Sequence, residues 1–144
     1  LEKGDKVPVL SLGNIEARRD WSDAEDFMEG VWLMLNQPEP KNYVLASGQM
    51  HTVREFLDTA LSEAGIDFII KGEGEKEKYF TLDGDLIFKV NPKFYRPAEV
   101  HELCGDPSLA EKKLGWKRKT DLSKLVKKMY QSDYKLLRKF VNNF

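Results

Sequence analysis

The chain has 144 residues, of which 41% are hydrophobic and 11% aromatic, enough to bury a core and too many for a disordered tail. No run of about 18 apolar residues occurs, which excludes a membrane-spanning helix, one cysteine excludes an internal disulfide, and two histidines exclude a Cys/His zinc cluster. The net charge of −1 is uneven: residues 111–144 carry 11 Lys/Arg against 3 Asp/Glu, and residues 1–110 carry 12 against 21. A basic tail beside an acidic body fits either a nucleic-acid arm or a helix face that complements the body. The helical spacing of the tail's apolar residues favours the second, so nucleic acid is disfavoured as a partner.

Val7–Leu12 reads as a short buried strand, broken by Gly13-Asn14. A loop with Arg18, Arg19 and Asp20 follows. Ser22 and Glu25 form a capping box for a helix whose face is Ala24, Phe27, Met28, Val31 and Leu35, stopped by Pro38 and Pro40. Tyr43–Ser47 reads as a second buried strand. Thr52 and Glu55 cap a second helix, which Gly65 ends in a left-handed conformation. Phe68–Ile70 is a third strand. Tyr79–Leu82 and Leu86–Val90 flank Asp83-Gly84, a two-residue hairpin signal. Helix starts are expected at Arg96-Pro97 and at Asp106-Pro107, the latter closed by Gly115. Thr120 or Asp121 opens the last helix, with Leu122, Leu125, Val126, Met129, Tyr130, Leu136, Leu137, Phe140 and Val141 as its stripe. The aromatics Trp32, Phe56, Trp116, Tyr130 and Phe140 read as core. The strand–helix alternation implies βα units with parallel strands, joined to a small α+β lobe. Parallel strands are buried on both faces, so so few of them point to a sheet completed by further chain or by a partner.

Two constellations suit phosphate chemistry. In Gly13-Asn14-x-x-x-Arg18-Arg19-Asp20, a strand end offers backbone amides, an amide side chain and two guanidiniums whose planar forks match phosphate oxygens. Loop Arg/Asp pairs are more often structural. In Arg96-Pro97-Ala98-Glu99, the arginine either pairs with Glu99 or reaches a phosphate while Glu99 accepts from hydroxyls. Gly72-Glu73-Gly74 lacks a third glycine, and its carboxylate neighbours repel pyrophosphate, so it reads as a turn. His51 and His101 read as surface residues and Cys104 as a packed thiol.

The blocks Leu12–Trp21, Ala24–Met28, Val31–Leu35, Ala46–Gly48, His51–Phe56, Phe94–Val100, Gly105–Ser108, Lys113–Lys117 and Leu125–Met129 together resemble the GDP-mannose 4,6-dehydratase family. These are extended short-chain dehydrogenases/reductases acting on nucleotide sugars. The resemblance covers only the C-terminal part of such an enzyme. It implies an α/β fold: a few parallel strands with helices, plus a small α+β substrate lobe with a hairpin. Residues 1–144 would then be the nucleotide-sugar-binding portion, without the NADP-binding Rossmann domain. No tyrosine here has lysine four positions on, so the family's Tyr-x-x-x-Lys is absent. By resemblance, Arg19 and Arg96 clamp the diphosphate of GDP-mannose, and Asn14 and Glu99 contact the nucleotide or ribose. No catalytic, cofactor-binding or metal-binding residue is implied. NADP would be held by the missing N-terminal part. The family likeness further implies a homo-oligomer. With no secretory leader and Leu1 in place of Met, the chain is expected to be a piece of a longer cytoplasmic polypeptide.

Overall fold

The computed structural model describes residues 8–96 and 102–141, with side chains through Lys139. In chain order the elements are β1 (Leu10–Leu12), β2 (Arg18–Arg19), α1 (Ala24–Leu35), β3 (His51–Thr52), α2 (Val53–Glu63), β4 (Phe68–Lys71), β5 (Lys78–Thr81), β6 (Leu86–Val90), α3 (Ser108–Leu114) and α4 (Leu122–Val141). Single 3-10 turns occupy Gly74–Lys76 and Pro92–Phe94.

Four strands form a mixed sheet in the order β1-β6-β5-β4, with β1 parallel to β6 and the other pairs antiparallel. Alternation on β5 and β6 turns Tyr79, Phe88 and Val90 inward, where Ile15 and Leu57 of α2 complete a buried cluster. Tyr79 stacks on Phe68 at 4.8 Å and meets Phe88 edge-on at 5.1 Å. Each such aromatic contributes about 1.5–3 kcal/mol by burial. A second cluster holds Ala110, Leu114 and Trp116 against Phe27, Leu33, Met34, Tyr43 and Leu45. The Trp116 indole donates to the Asp26 carbonyl at 2.8 Å, and the Asp26 carboxylate accepts from the Lys119 and Thr120 amides. This ties α1 to the linker between α3 and α4.

The helix ends follow the sequence closely. Thr52 Oγ1 accepts from the Glu55 amide at 3.0 Å. Gly65, at φ +68°, closes α2 with its amide on Ser62 and that of Ile66 on Leu61, the paired bonds of a Schellman motif. Asp121 rather than Thr120 caps α4, accepting from the Lys124 amide at 2.9 Å. Gly115, at φ +67°, ends α3. The cap of α1 is Asp23 and not Ser22, because a carboxylate one residue nearer the helix accepts the Glu25 amide at 2.8 Å.

Three expectations change. Tyr43–Ser47 is extended but forms no ladder among the described residues: the Ser47 amide goes to Asp20, and Tyr43 and Leu45 pack on the Trp116 cluster. Among the described residues the parallel arrangement is therefore the one pair β1 with β6, inside an α/β fold. The hairpin loop is three residues wide, Leu82-Asp83-Gly84. Gly84 at φ +92° donates to the Thr81 carbonyl, and the Thr81 amide donates to Asp85, the type I turn plus left-handed glycine of three-residue loops. Cys104 is exposed rather than packed: the Gly105 amide is drawn onto Asp20 at the surface, and the Cys104 thiol lies beside the same carboxylate, 3.9 Å from Oδ2.

Two helices keep apolar surface outside. Apart from Glu25, Asp26 and Glu29, α1 carries apolar residues on more than one side, and only one side finds cover: Phe27, Leu33 and Met34 pack inward, while Met28 (60%), Trp32 (64%) and Leu35 (79%) remain exposed. Trp32 is thus not core. The stripe of α4 packs on α2 near the fully buried Val126 but is open at Leu136 and Leu137. At about 1.5 Å per residue, the 11 residues of α2 can shield only about half of the 20 in α4. The side chains of Phe140 and Val141 and the helix start expected at Arg96-Pro97 lie outside the described residues.

Candidate functional site

The loop from Gly13 to Asp20 carries Asn14, Arg18 and Arg19 and is fastened along its length. Before it, the Asn91 amide donates to the Leu12 carbonyl at 2.7 Å. Within it, the Arg54 and Val53 amides donate to the Ile15 and Ala17 carbonyls at 2.9 and 3.1 Å. These are amides of the first turn of α2, which lack intrahelical acceptors, so the helix start holds the loop with donors that must be satisfied in any case. Ile15 and Ala17 point inward at 3% and 4% exposure, which turns Asn14, Glu16 and Arg18 the other way. Asn14 Oδ1 accepts from the Glu16 amide at 3.0 Å, an Asx turn that fixes its orientation. Arg18 and Arg19 then pair antiparallel with Thr52 and His51.

Gly13 explains how the two sequence constellations meet. A Cβ on Gly13 would stand 2.5 Å from the Phe94 carbonyl oxygen and 2.8 Å from its carbon. Only glycine lets the 92–96 turn, which delivers Arg96, lie directly on the strand end that delivers Asn14. At the other end of the loop, Asp20 gathers amides from two further segments: Ser47 at 2.9 Å and Gly48 at 3.1 Å, then Gly105 at 3.2 Å. Arg18 lies 3.9 Å from Glu102. Phe94 thus lies against one end of the loop, and Glu102 and Gly105 against the other; in sequence, Arg96 and Glu99 fall between them. Arg96 is exposed at the end of the described stretch. Glu99 lies outside the described residues, as does His101.

Arg19 donates to the Arg18 carbonyl at 2.7 Å, which bends its side chain back along the loop. His51, expected as a plain surface residue, is half-buried, with Nδ1 2.6 Å from Glu55 Oε2. The most connected group near the loop went unnoticed in the sequence. Arg54 reaches Glu16 through Nε at 2.7 Å and Glu77 through Nη2 at 2.8 Å, and donates to the Tyr79 hydroxyl at 3.1 Å. The Glu77 side chain is only 5% exposed. Nothing local signals this cluster, because residues 16, 54 and 77 come from a loop, a helix and the turn just before β5. From sequence, Asp20 reads as orienting an arginine or capping the next segment; its three amides come instead from positions 47, 48 and 105.

Burial pushes the Asp20 carboxyl up, but hydrogen bonds from Ser47, Gly105 and Gly48 outweigh it and hold it below the usual carboxylate range. A carboxylate depressed in the folded state contributes stability that is fully present above its unfolded pKa, about 3.9, and is lost as pH falls through the folded value. Stability should therefore fall on acidification below about pH 4, and Asp20→Asn should lower stability at neutral pH while flattening that acid limb. Urea unfolding of both proteins at stepped pH checks it. Gly13→Ala should cost about 1–3 kcal/mol, because the atoms it strikes are backbone and can yield only by moving the Arg96 segment away from Asn14. A thermal melt and a GDP titration on the same variant should both register the change.

Three lysines of the basic C-terminal segment pair with the acidic body. Lys128 meets Asp23 and Glu25 at 2.9 Å, Lys127 meets Glu63 at 3.6 Å, and Lys119 pairs with Glu29. Among the described residues no group of His, Cys, Asp and Glu is arranged to hold a metal ion, and no helix is long and apolar enough to cross a membrane.

Against known proteins, residues 2–129 match the family described as GDP-mannose 4,6 dehydratase. The GDP-mannose 4,6 dehydratase of Dictyostelium discoideum is 44% identical over 133 residues, covering 90% of this chain and 37% of that protein. The chain therefore spans little more than a third of the length of such relatives and corresponds to a C-terminal segment of them. Among solved structures, UDP-glucose-4-epimerase from Stenotrophomonas maltophila, with bound NAD and formylated UDP-arabinopyranose, aligns with a TM-score of 0.68 at 19% identity, over 92% of this chain and 37% of that one. RMD from Pseudomonas aeruginosa complexed with NADPH gives 0.63 at 19% identity, over 85% and 34%. At those identities the likeness establishes the fold: a segment of a Rossmann-type dehydratase or epimerase architecture. The matched residues and the 44% identical relative agree: the chain belongs to the GDP-mannose 4,6-dehydratase family.

Proposed function

We propose that this chain is the nucleotide-sugar-binding portion of an enzyme that converts GDP-mannose to GDP-4-keto-6-deoxymannose. Arg19 and Arg96 grip the diphosphate, since planar guanidinium forks pair bidentately with phosphate oxygens. Asn14 and Glu99 contact the nucleotide or its ribose. The observation that carries this reading is the double closure of the loop. Gly13 on Phe94 and Asp20 on Gly105 bring segments more than 70 positions apart in sequence onto one edge of the fold. The names of the close relatives support the substrate.

NADP, which the family reading implies, does not fit the described residues. The Gly72–Gly74 stretch leads into the 3-10 turn Gly74–Lys76 beside Glu73 and Glu75, where carboxylates would repel a pyrophosphate. No step of hydride transfer is therefore assigned to these residues; that chemistry, and the general acid and base of the elimination, belong to the remaining part of a longer, NADP-dependent lyase. The exposed stripe Met28, Trp32 and Leu35, spaced on one face of α1, supports such a covering part. We place the enzyme in the cytoplasm, as a homo-oligomer, on the route to GDP-fucose. The test is conversion of GDP-mannose with added NADP by the purified chain, alone and mixed with a separately made N-terminal part. Turnover only in the mixture supports the proposal. Turnover by the chain alone, or none in a folded mixture, contradicts it.

A further inference from the structure

Arg54 lies outside the residues proposed to touch the ligand, yet it is bonded to the loop that carries them. Its backbone amide holds Ile15, and its guanidinium is shared between Glu16 on the loop and Glu77 on the sheet side. The two carboxylates differ in a useful way. The Glu77 side chain is 5% exposed and Glu16 is 60% exposed, so Glu77 requires a cation and Glu16 does not. The Arg54–Glu77 pair, with Tyr79 beside it, is thus a fixed post on the sheet. Glu16, two residues past Asn14 and three before Arg19, is a tether from that post to the loop. A folding requirement alone would be met by Arg54 and Glu77; Nε and Nη2 of the guanidinium are spent on Glu16 in addition.

We infer that Arg54 is a positioning residue, which through Glu16 sets the height at which the Gly13–Asp20 loop presents Asn14 and Arg19 to a nucleoside diphosphate. The inference rests on the nucleotide-binding reading above. A tether of this kind improves binding by removing loop freedom before the ligand arrives, so its loss appears in affinity and in loop protection and not in global stability. Glu16→Gln keeps the shape of the side chain and leaves the Glu77 pair intact. Arg54→Lys keeps a cation for Glu77 but has no fork to share with Glu16.

The experiment titrates GDP into the 144-residue chain and its variants, with hydrogen exchange and thermal melts on the same samples. Glu16→Gln should bind GDP about tenfold more weakly, the scale of one charge-assisted hydrogen bond. The amides of residues 14–19 should lose protection while those of β5 and β6 keep theirs, with an unchanged melting temperature. Adding Arg54→Lys to Glu16→Gln should produce no further loss of affinity, because both remove the same tether. If Glu16→Gln binds GDP like the parent while Arg19→Ala does not, the positioning role is wrong and the binding reading stands. If the parent chain binds no GDP, both fall. A lower melting temperature with unchanged affinity would mark the cluster as structural only.

Discussion

Arg19→Ala should weaken GDP binding by about 10- to 150-fold, the loss of one charge-assisted hydrogen bond worth about 1.5–3 kcal/mol. Arg19 ends the short strand β2, beside Asp20, whose carboxylate is bound by the amides of Ser47, Gly48 and Gly105. The backbone at Arg19 is therefore set by its neighbours, and truncating the side chain should leave the melting temperature nearly unchanged. Arg19→Lys should recover part of the affinity, since the charge returns without the fork. Isothermal titration of GDP against GMP separates a diphosphate contact from a base contact. With a diphosphate contact, the parent chain prefers GDP and the alanine variant loses that preference.

Trp116→Ala should cost about 3–5 kcal/mol, the range for removing a buried large aromatic. Its exposure is 1%, and its neighbours Phe27, Leu33, Met34, Tyr43 and Leu45 come from α1 and the segment after it. Its indole also satisfies the Asp26 carbonyl, so the substitution opens a cavity and removes a buried hydrogen bond together. Gly30 has room for nothing larger, with Leu45 carbons 2.7 and 2.8 Å and the Trp116 nitrogen 3.1 Å from where its Cβ would be. The wall therefore cannot collapse inward without moving α1. A loss of that size is a large share of the stability of an ordinary domain. Urea unfolding should show it, and Trp116→Phe, which keeps most of the volume and loses the donor, should fall between.

Much of the fold was legible because its signals are local. Thr52 with Glu55, Gly65 and Gly115 are end markers that act within one turn of chain, and each sits where the sequence puts it. Strands β4, β5 and β6 were read from short apolar runs between glycines. What failed was long-range. Tyr43–Ser47 has the composition of a buried strand, but its backbone donors and side chains are taken by Asp20 and Trp116. The α1 pattern put Met28 and Leu35 on the buried face, but a helix with apolar residues on more than one side does not say which of them is covered, and here the covered side includes Asp26 and Gly30. At the proposed site, Asn14 and Arg19 were singled out by residue type in a loop after a strand, Arg96 by its place at a helix start, and all three by resemblance. Their mutual support was not. The contact of Gly13 with Phe94 and the shared guanidinium of Arg54 depend on chain segments brought together only in the folded state.

The central claim is that two distant segments of this chain form one diphosphate-binding edge. It is tested most directly by backbone amide NMR of the 144-residue chain during titration with GDP, with guanosine as the control. The account predicts that GDP moves the resonances of residues 13–20 together with those of residues 94–99, with one affinity for both sets, and that guanosine leaves the Arg19 amide in place. Shifts confined to the lysines of α4, or equal responses to GDP and guanosine, would contradict it.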